Sequence, residues 1–263
     1  MRISVISPHV NNNGNTTLAM LIALEISNNG RNTCITHVKP LSNSFYEYLN
    51  FVGYQDKTST PSQIVKIIKE GELLDDDVTD YCKRINNNLE AFTNDTTNFS
   101  QGDMDFMIDY IARSFPHEHI VFDVDDNDLE QVRRAVDNSD VVVLNITQSI
   151  SELKQFHKNK DKYIDIIESR PLVVVVNKYN SVKGTLKETA NWIGVKRTNN
   201  WLVLRDNPWI AWATNHGQLL QLYKKIKTRD ARVIELNPDL EKIYKNLVRA
   251  KVAKDRRFGG RGR

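Results

Sequence analysis

RISVISPHVNNNGNTTLAMLIALEIS, residues Arg2 to Ser27, is the stretch that decides the fold. Its opening run Ile3-Ser4-Val5-Ile6 is short and rich in β-branched residues, as a buried parallel strand is. After Asn15 the apolar residues Leu18, Leu21, Ile22, Leu24 and Ile26 follow helical spacing. A polar loop, His9 to Asn15, joins the two. Strand, tight polar loop with one glycine, and a helix opening on Thr16-Thr17 together aim free helix N-terminal N–H groups and a positive dipole end at an anion. Phosphate is the first ligand this order suggests. Asn/Gly-rich loops also join strands to helices in α/β proteins that hold no ligand, so the loop alone leaves both readings open.

Working outward, 263 residues of ordinary apolar content suffice for one large α/β domain, expected over residues 1–250. A formal net charge of +3 excludes a chain that binds polyanions with its whole surface. The charge is uneven: Arg249 to Arg263 is strongly basic, whereas Asp75 to Asp80 and Asp123 to Asp128 are acidic. Cys34 and Cys82 fit no metal spacing and point to a reducing compartment. No apolar run reaches the ~18 residues of a membrane span, and Met1-Arg2 leads directly into a strand; a cytoplasmic protein is expected.

Asn32 to Val38 reads as the second strand, after a helix stopped at Asn28-Asn29-Gly30. Residues 42–115 read as a mostly helical excursion, with helical periodicity at Pro61–Gly71, Asp76–Phe92 and Asp103–Phe115 between Asn/Thr/Ser-rich turns. Tyr46, Tyr48, Phe51 and Tyr54 within it suit either a binding face or core. His119 to Asp123 is an apolar strand that places an acid at its carboxyl end, the edge where parallel α/β sheets hold ligands. Asp140 to Leu144 is another strand, and a helix begins at Ile150. Pro171 to Lys178 is the clearest buried strand, covered on both faces. Trp201 to Arg205 is the last. A final helix starts near Asn237-Pro238, and residues 251–263 form a basic tail expected to be flexible.

Val10-Asn11-Asn12-Asn13-Gly14-Asn15-Thr16-Thr17 resembles the deviant Walker A loop of the ParA/MinD family of P-loop ATPases, K-G-G-x-G-K-[TS]-[TS]. Gly14, Thr16 and Thr17 match. The signature lysine is Val10 here and the phosphate lysine is Asn15. Further along, His119 to Asp123 and Asp140 to Leu144 resemble the Walker B and switch II region, although Val124-Asp125 stand where the family has Thr-Pro. Val176-Asn177-Lys178 resembles the end of the V-x-N-[KR] motif, and Asp206 to Gln218 resembles the loop that packs on the base and leads to a helix. The acid that follows the second strand in the family is missing, since that strand leads to Lys39-Pro40.

The resemblance implies a doubly wound, mostly parallel sheet flanked by helices. It also implies ATP or ADP with magnesium as the ligand. Gly14, Asn15, Thr16 and Thr17 would cradle the phosphates, Thr16 and Asp123 would hold the metal, and Asn177, Pro208 and Trp209 would contact the base. Asn177 reads otherwise as a strand-ending residue, Asp123 as a helix N-terminal acid, and Trp209 as core. Losing the lysine removes a charge contact worth on the order of 3 kcal/mol in a transition state, so weak or absent hydrolysis is expected.

The family implies a homodimer acting as a spatial organiser of DNA, pilus or conjugation machinery, in the manner of TadZ-like relatives, with a protein partner in a membrane-associated machine. The tail Arg249–Arg263 would contact nucleic acid or an anionic membrane, or stay solvated. A working partition ATPase and a nucleotide-free DNA-binding scaffold are the competing readings. A capsule-type tyrosine kinase is disfavoured, because no tyrosine follows Tyr244.

Overall fold

The computed structural model describes residues 1–8, 14–38, 44–49, 61–71, 79–92, 100–124, 129–195, 198 and 200–259. In chain order the elements are β1 (Arg2–Ile6), α1 (Asn15–Asn28), β2 (Thr33–Val38), α2 (Ser44–Leu49), α3 (Pro61–Lys69), β3 (Lys83–Asn86), β4 (Leu89–Phe92) and α4 (Gln101–Ser114). They continue as β5 (His119–Val124), α5 (Leu129–Asp137), β6 (Val141–Ile146), α6 (Ile150–Ile167), β7 (Leu172–Tyr179), α7 (Leu186–Ile193), β8 (Trp201–Arg205), α8 (Pro208–Asn215), α9 (Leu219–Lys227) and α10 (Leu236–Gly259).

The strands form one sheet in the order β3-β4-β2-β5-β1-β6-β7-β8, parallel throughout except for the antiparallel β3–β4 pair. Side-chain alternation explains why the central strands read as unbroken apolar runs. Val141 and Val143 of β6 and Val173 and Val175 of β7 enter one core with α1, α9 and α10. Val142, Leu144, Val174 and Val176 enter a second core on the opposite face with α4, α5, α6 and α7. Both faces of the sheet are covered, the arrangement that βαβ crossovers produce. The carboxyl ends of β1, β5, β6 and β7 therefore share one edge, where β1 stands between a strand that precedes β6 in the chain and β6 itself.

One expectation from the sequence fails. Asp76–Phe92 does not form an α-helix: its described part is a single 3-10 turn at Thr79-Asp80-Tyr81 followed by the hairpin β3–β4, which extends the sheet beyond β2. The Asn86-Asn87-Asn88 run is the reason, since the Asn86 side chain accepts from the Asn88 N–H at 2.9 Å and closes the turn locally. Leu89, Ala91 and Phe92 then find burial in the sheet instead of along a helix.

The basic stretch from residue 251 is helical as far as Gly259, as part of α10, and residues 260–263 of the expected tail lie outside the described residues. Lys251 and Lys254 donate to Asp140 at 2.8 and 3.1 Å, and Asp140 also accepts from the Arg2 N–H, so α10 is tied at these two residues to the starts of β1 and β6. Tyr48 packs against the first core, while Phe51 and Tyr54 lie outside the described residues. Among the described residues no helix is long and apolar enough to cross a membrane.

The start of β5 carries a titration that should be visible in stability. Burial pushes the His119 imidazole down from the ordinary 6.5 to about 4, helped by the nearby N-terminal ammonium. The folded chain therefore resists a proton that the unfolded chain accepts. The contribution is complete above pH 6.5 and is lost as the pH falls toward 4. Denaturant midpoints measured between those limits are expected to fall more steeply for the wild type than for His119→Gln; parallel profiles would contradict this.

Candidate functional site

Gly14 begins the site because its backbone is left-handed, at φ 74°, where any other side chain is strained. A Cβ there would also stand 3.0 Å from the Asn177 amide nitrogen. Helix α1 follows at once, its carbonyl ladder opened by the Leu18 N–H donating to the Gly14 carbonyl at 2.9 Å. Asn15, Thr16 and Thr17 fill the first turn and are buried. Val10 to Asn13 lie outside the described residues.

Asp123 sits near the carboxyl end of β5, in register with Val5 of β1 and His37 of β2, and is fully buried. An isolated carboxylate in that place would be costly, and the surrounding chain answers it with donors. The Asn15 amide donates to Oδ1 at 2.8 Å, and the Thr16 hydroxyl donates to Oδ2 at 2.7 Å. The His37 Nδ1 lies 3.0 Å from the same Oδ2. Asn15 donates further to the carbonyls of Val5 and Val124, at 3.0 and 3.2 Å, while its own carbonyl accepts from Asn145 at 3.4 Å. Asn15 thus ties together the carboxyl ends of β1, β5 and β6. Its side chain is turned inward, into the sheet edge.

These residues fit a magnesium nucleotide in part. The N-terminus of α1 with Thr16 and Thr17 suits a phosphate, and the Thr16–Asp123 pair has the oxygens that a magnesium ion prefers. Asn15 differs in kind, being neutral and committed to Asp123 and two carbonyls.

Asn177, near the carboxyl end of β7, is buried and lies beside the same junction. Its Nδ2 is 3.5 Å from the Gly14 carbonyl, and its Oδ1 accepts from the Lys178 N–H at 2.8 Å. The structure therefore brings Gly14, Asn15, Thr16, Thr17, Asp123 and Asn177 to one place. Pro208 and Trp209 open α8, capped by the Asn207 side chain accepting from the Trp209 N–H at 2.9 Å. The Trp209 ring packs partly against the first core, under the Arg232 guanidinium at 4.9 Å and edge-on to Trp212 at 5.7 Å.

Sequence reasoning missed His37 and Asn145. Neither falls in a motif: His37 reaches Asp123 only through the register of β2 on β5, and Asn145 through that of β6 on β1.

No family model matches the chain, and no curated protein sequence matches it. Solved structures do. Over 94% of this chain and 95% of the other, it is similar to a chain of the MinC:MinD cell division protein complex of Aquifex aeolicus, at 13% identity and a TM-score of 0.68. A ParA family ATPase from Chlorobium tepidum is similar over 85% of this chain and 92% of its own, at 17% identity and a TM-score of 0.67. The septum site-determining protein MinD from Pyrococcus horikoshii, complexed with Mg-ADP, is similar over 94% and 95%, at 13% identity and a TM-score of 0.65. With its eight-stranded, mostly parallel sheet and flanking helices, the chain has the fold of the MinD and ParA ATPases.

Proposed function

We propose that the chain is an atypical ParA/MinD-like spatial organiser, a homodimer that holds ATP or ADP and turns ATP over slowly or not at all. The observation that carries this reading is Asn15. It stands where the family's phosphate lysine is expected, and its amide donates to Asp123 instead of presenting a charge to the loop. A phosphate would be held by Gly14 to Thr17, a magnesium ion by Thr16 and Asp123, and the base end by Asn177, with Pro208 and Trp209 behind it. Bound magnesium would neutralise phosphate charge. What the chain itself lacks is a lysine in the loop to stabilise charge that develops in transfer.

The partners that suit this role are DNA, or a protein of a membrane-associated pilus or conjugation machine, as in TadZ-like positioning. The basic stretch Arg249–Arg263 is the candidate contact for a phosphate backbone, and within it Lys251 and Lys254 also pair with Asp140. The test is equilibrium binding of ATP and of ADP with magnesium, wild type beside Asn177→Ala. Micromolar binding that the variant loses is expected. Absence of binding by the wild type at millimolar nucleotide would overturn the nucleotide part of the proposal and leave a scaffold.

A further inference from the structure

We propose that a groove between α8, α9 and the segment leading into α10 docks a partner protein, by taking an acidic peptide segment that carries one bulky apolar side chain. The inference goes beyond the reading above, and nothing in it requires nucleotide.

Local sequence builds the groove. Helix α9 ends at Lys227, and the chain turns at Arg229, whose φ of 61° is left-handed, with the Asp230 N–H returning to the Lys225 carbonyl at 3.0 Å. The Val233 N–H then donates to the Asp230 carbonyl at 3.0 Å, and this second turn sets the Arg232 guanidinium over the Trp209 ring at 4.9 Å. Trp209 and Trp212 are three residues apart on α8 and so share a face, and His216, four further on, stacks on Trp212 at 4.7 Å. Leu222 and Val233, both buried, line the groove together with the two tryptophans. Trp212 is nevertheless 42% exposed, an open position for a residue type that is highly buried on average. Tryptophan and arginine over an apolar floor form the composition of an interface centre.

The rim selects the occupant. From Leu222 to Val233 the chain carries Lys224, Lys225, Lys227, Arg229 and Arg232 against Asp230 alone. Lys227 is turned to Glu25, and Asp230 is held by two Arg232 nitrogens at 2.9 and 2.6 Å. Lys225 lines the groove, with Lys224 and Arg229 exposed beside it in the chain, so the face that remains is positive and complements an acid. Gln218 and Gln221 also line it, and their amides both donate and accept. A peptide backbone does the same, whereas a phosphate backbone only accepts. A second copy of the chain meeting this face symmetrically would set the same cations against one another.

The experiment pans a random phage-displayed peptide library on the full chain. It then measures the affinity of a selected peptide, of the same peptide with its acids changed to amides, and of oligothymidylate. Selected peptides rich in aspartate and glutamate around an aromatic or branched apolar residue are expected, and the amide form should bind about tenfold more weakly or worse. Trp212→Ala and Lys225→Glu should each weaken the acidic peptide by about tenfold, and Trp212→Phe should retain most of the affinity. Both positions are exposed, so melting temperatures close to the wild type are expected and loss of fold cannot imitate the result.

Selected peptides without acidic bias, binding that Trp212→Ala and Lys225→Glu leave intact, or a library from which nothing is enriched would overturn the assignment. Oligothymidylate that displaces the peptide and needs the same two residues would replace the peptide with a nucleic acid. A wild type that binds the acidic peptide but no nucleotide would leave the groove standing and overturn the nucleotide reading alone.

Discussion

Asp123→Ala is expected to lower the melting temperature by roughly 10 °C, from a loss of about 3–5 kcal/mol. The carboxylate is fully buried and collects three donors from two elements: the Asn15 amide and the Thr16 hydroxyl of α1, and the His37 ring of β2. Alanine would leave all three facing a cavity, each costing about 1–3 kcal/mol if nothing replaces its partner. Against a whole-domain stability of about 5–15 kcal/mol this is a large fraction. The consequence for function is practical. Lost nucleotide binding in Asp123→Ala would report a disturbed fold as much as a lost metal oxygen, and Asp123→Asn, which preserves shape and one acceptor, is the better probe. Thermal unfolding of Asp123→Ala within about a degree of the wild type would show that the carboxylate does not organise this edge.

The second large effect lies on the other side of α1. Glu25 is buried in the last turn of that helix, where its carboxylate accepts from the Tyr223 hydroxyl at 2.8 Å and from the Lys227 ammonium at 2.6 Å. Lys227 also donates to the Asn237 side chain at 2.9 Å, so one cation links α1, α9 and the start of α10. Burial and the Glu25 charge together push the Tyr223 phenol well above its ordinary range, which keeps it a donor.

Lys227→Met would strand the Glu25 charge in the core, and a loss of about 3–5 kcal/mol is expected in denaturant unfolding. Adding Glu25→Gln should recover most of it, because the uncompensated charge and not the lost attraction is the main cost. A single variant as stable as the wild type, or a double variant no better than the single, would contradict this.

The parts of the molecule that were legible in the sequence share one physical property: their pattern is local. β6 and β7 announce themselves because both faces of each are buried, which leaves no polar alternation to confuse with a surface strand. β1, Gly14 and α1 are read from consecutive residues. The β3–β4 hairpin was illegible because four-residue strands are too short to show a period, and apolar spacings there also fit a helix.

The site divides in the same way. Gly14, Asn15, Thr16, Asp123 and Asn177, which the fold brings together, are singled out by motifs that lie along the chain. His37 was not, since only strand register carries it opposite Asp123 across 86 residues. Nor does the identity of Asn15 reveal that its amide turns inward. The contact of α10 with Asp140 was illegible for a related reason, because Asp140 lies more than a hundred residues before Lys251 and Lys254.

The most direct test of an organiser that holds nucleotide without consuming it is the identity of the nucleotide left on the protein. The wild-type chain would be incubated with magnesium and ATP, separated from free ligand, and its bound nucleotide released and identified. Intact ATP in near-stoichiometric amount is expected. Bound ADP with released phosphate at a comparable rate would make the chain a working ATPase despite Asn15, and a protein recovered without nucleotide would make the fold a scaffold.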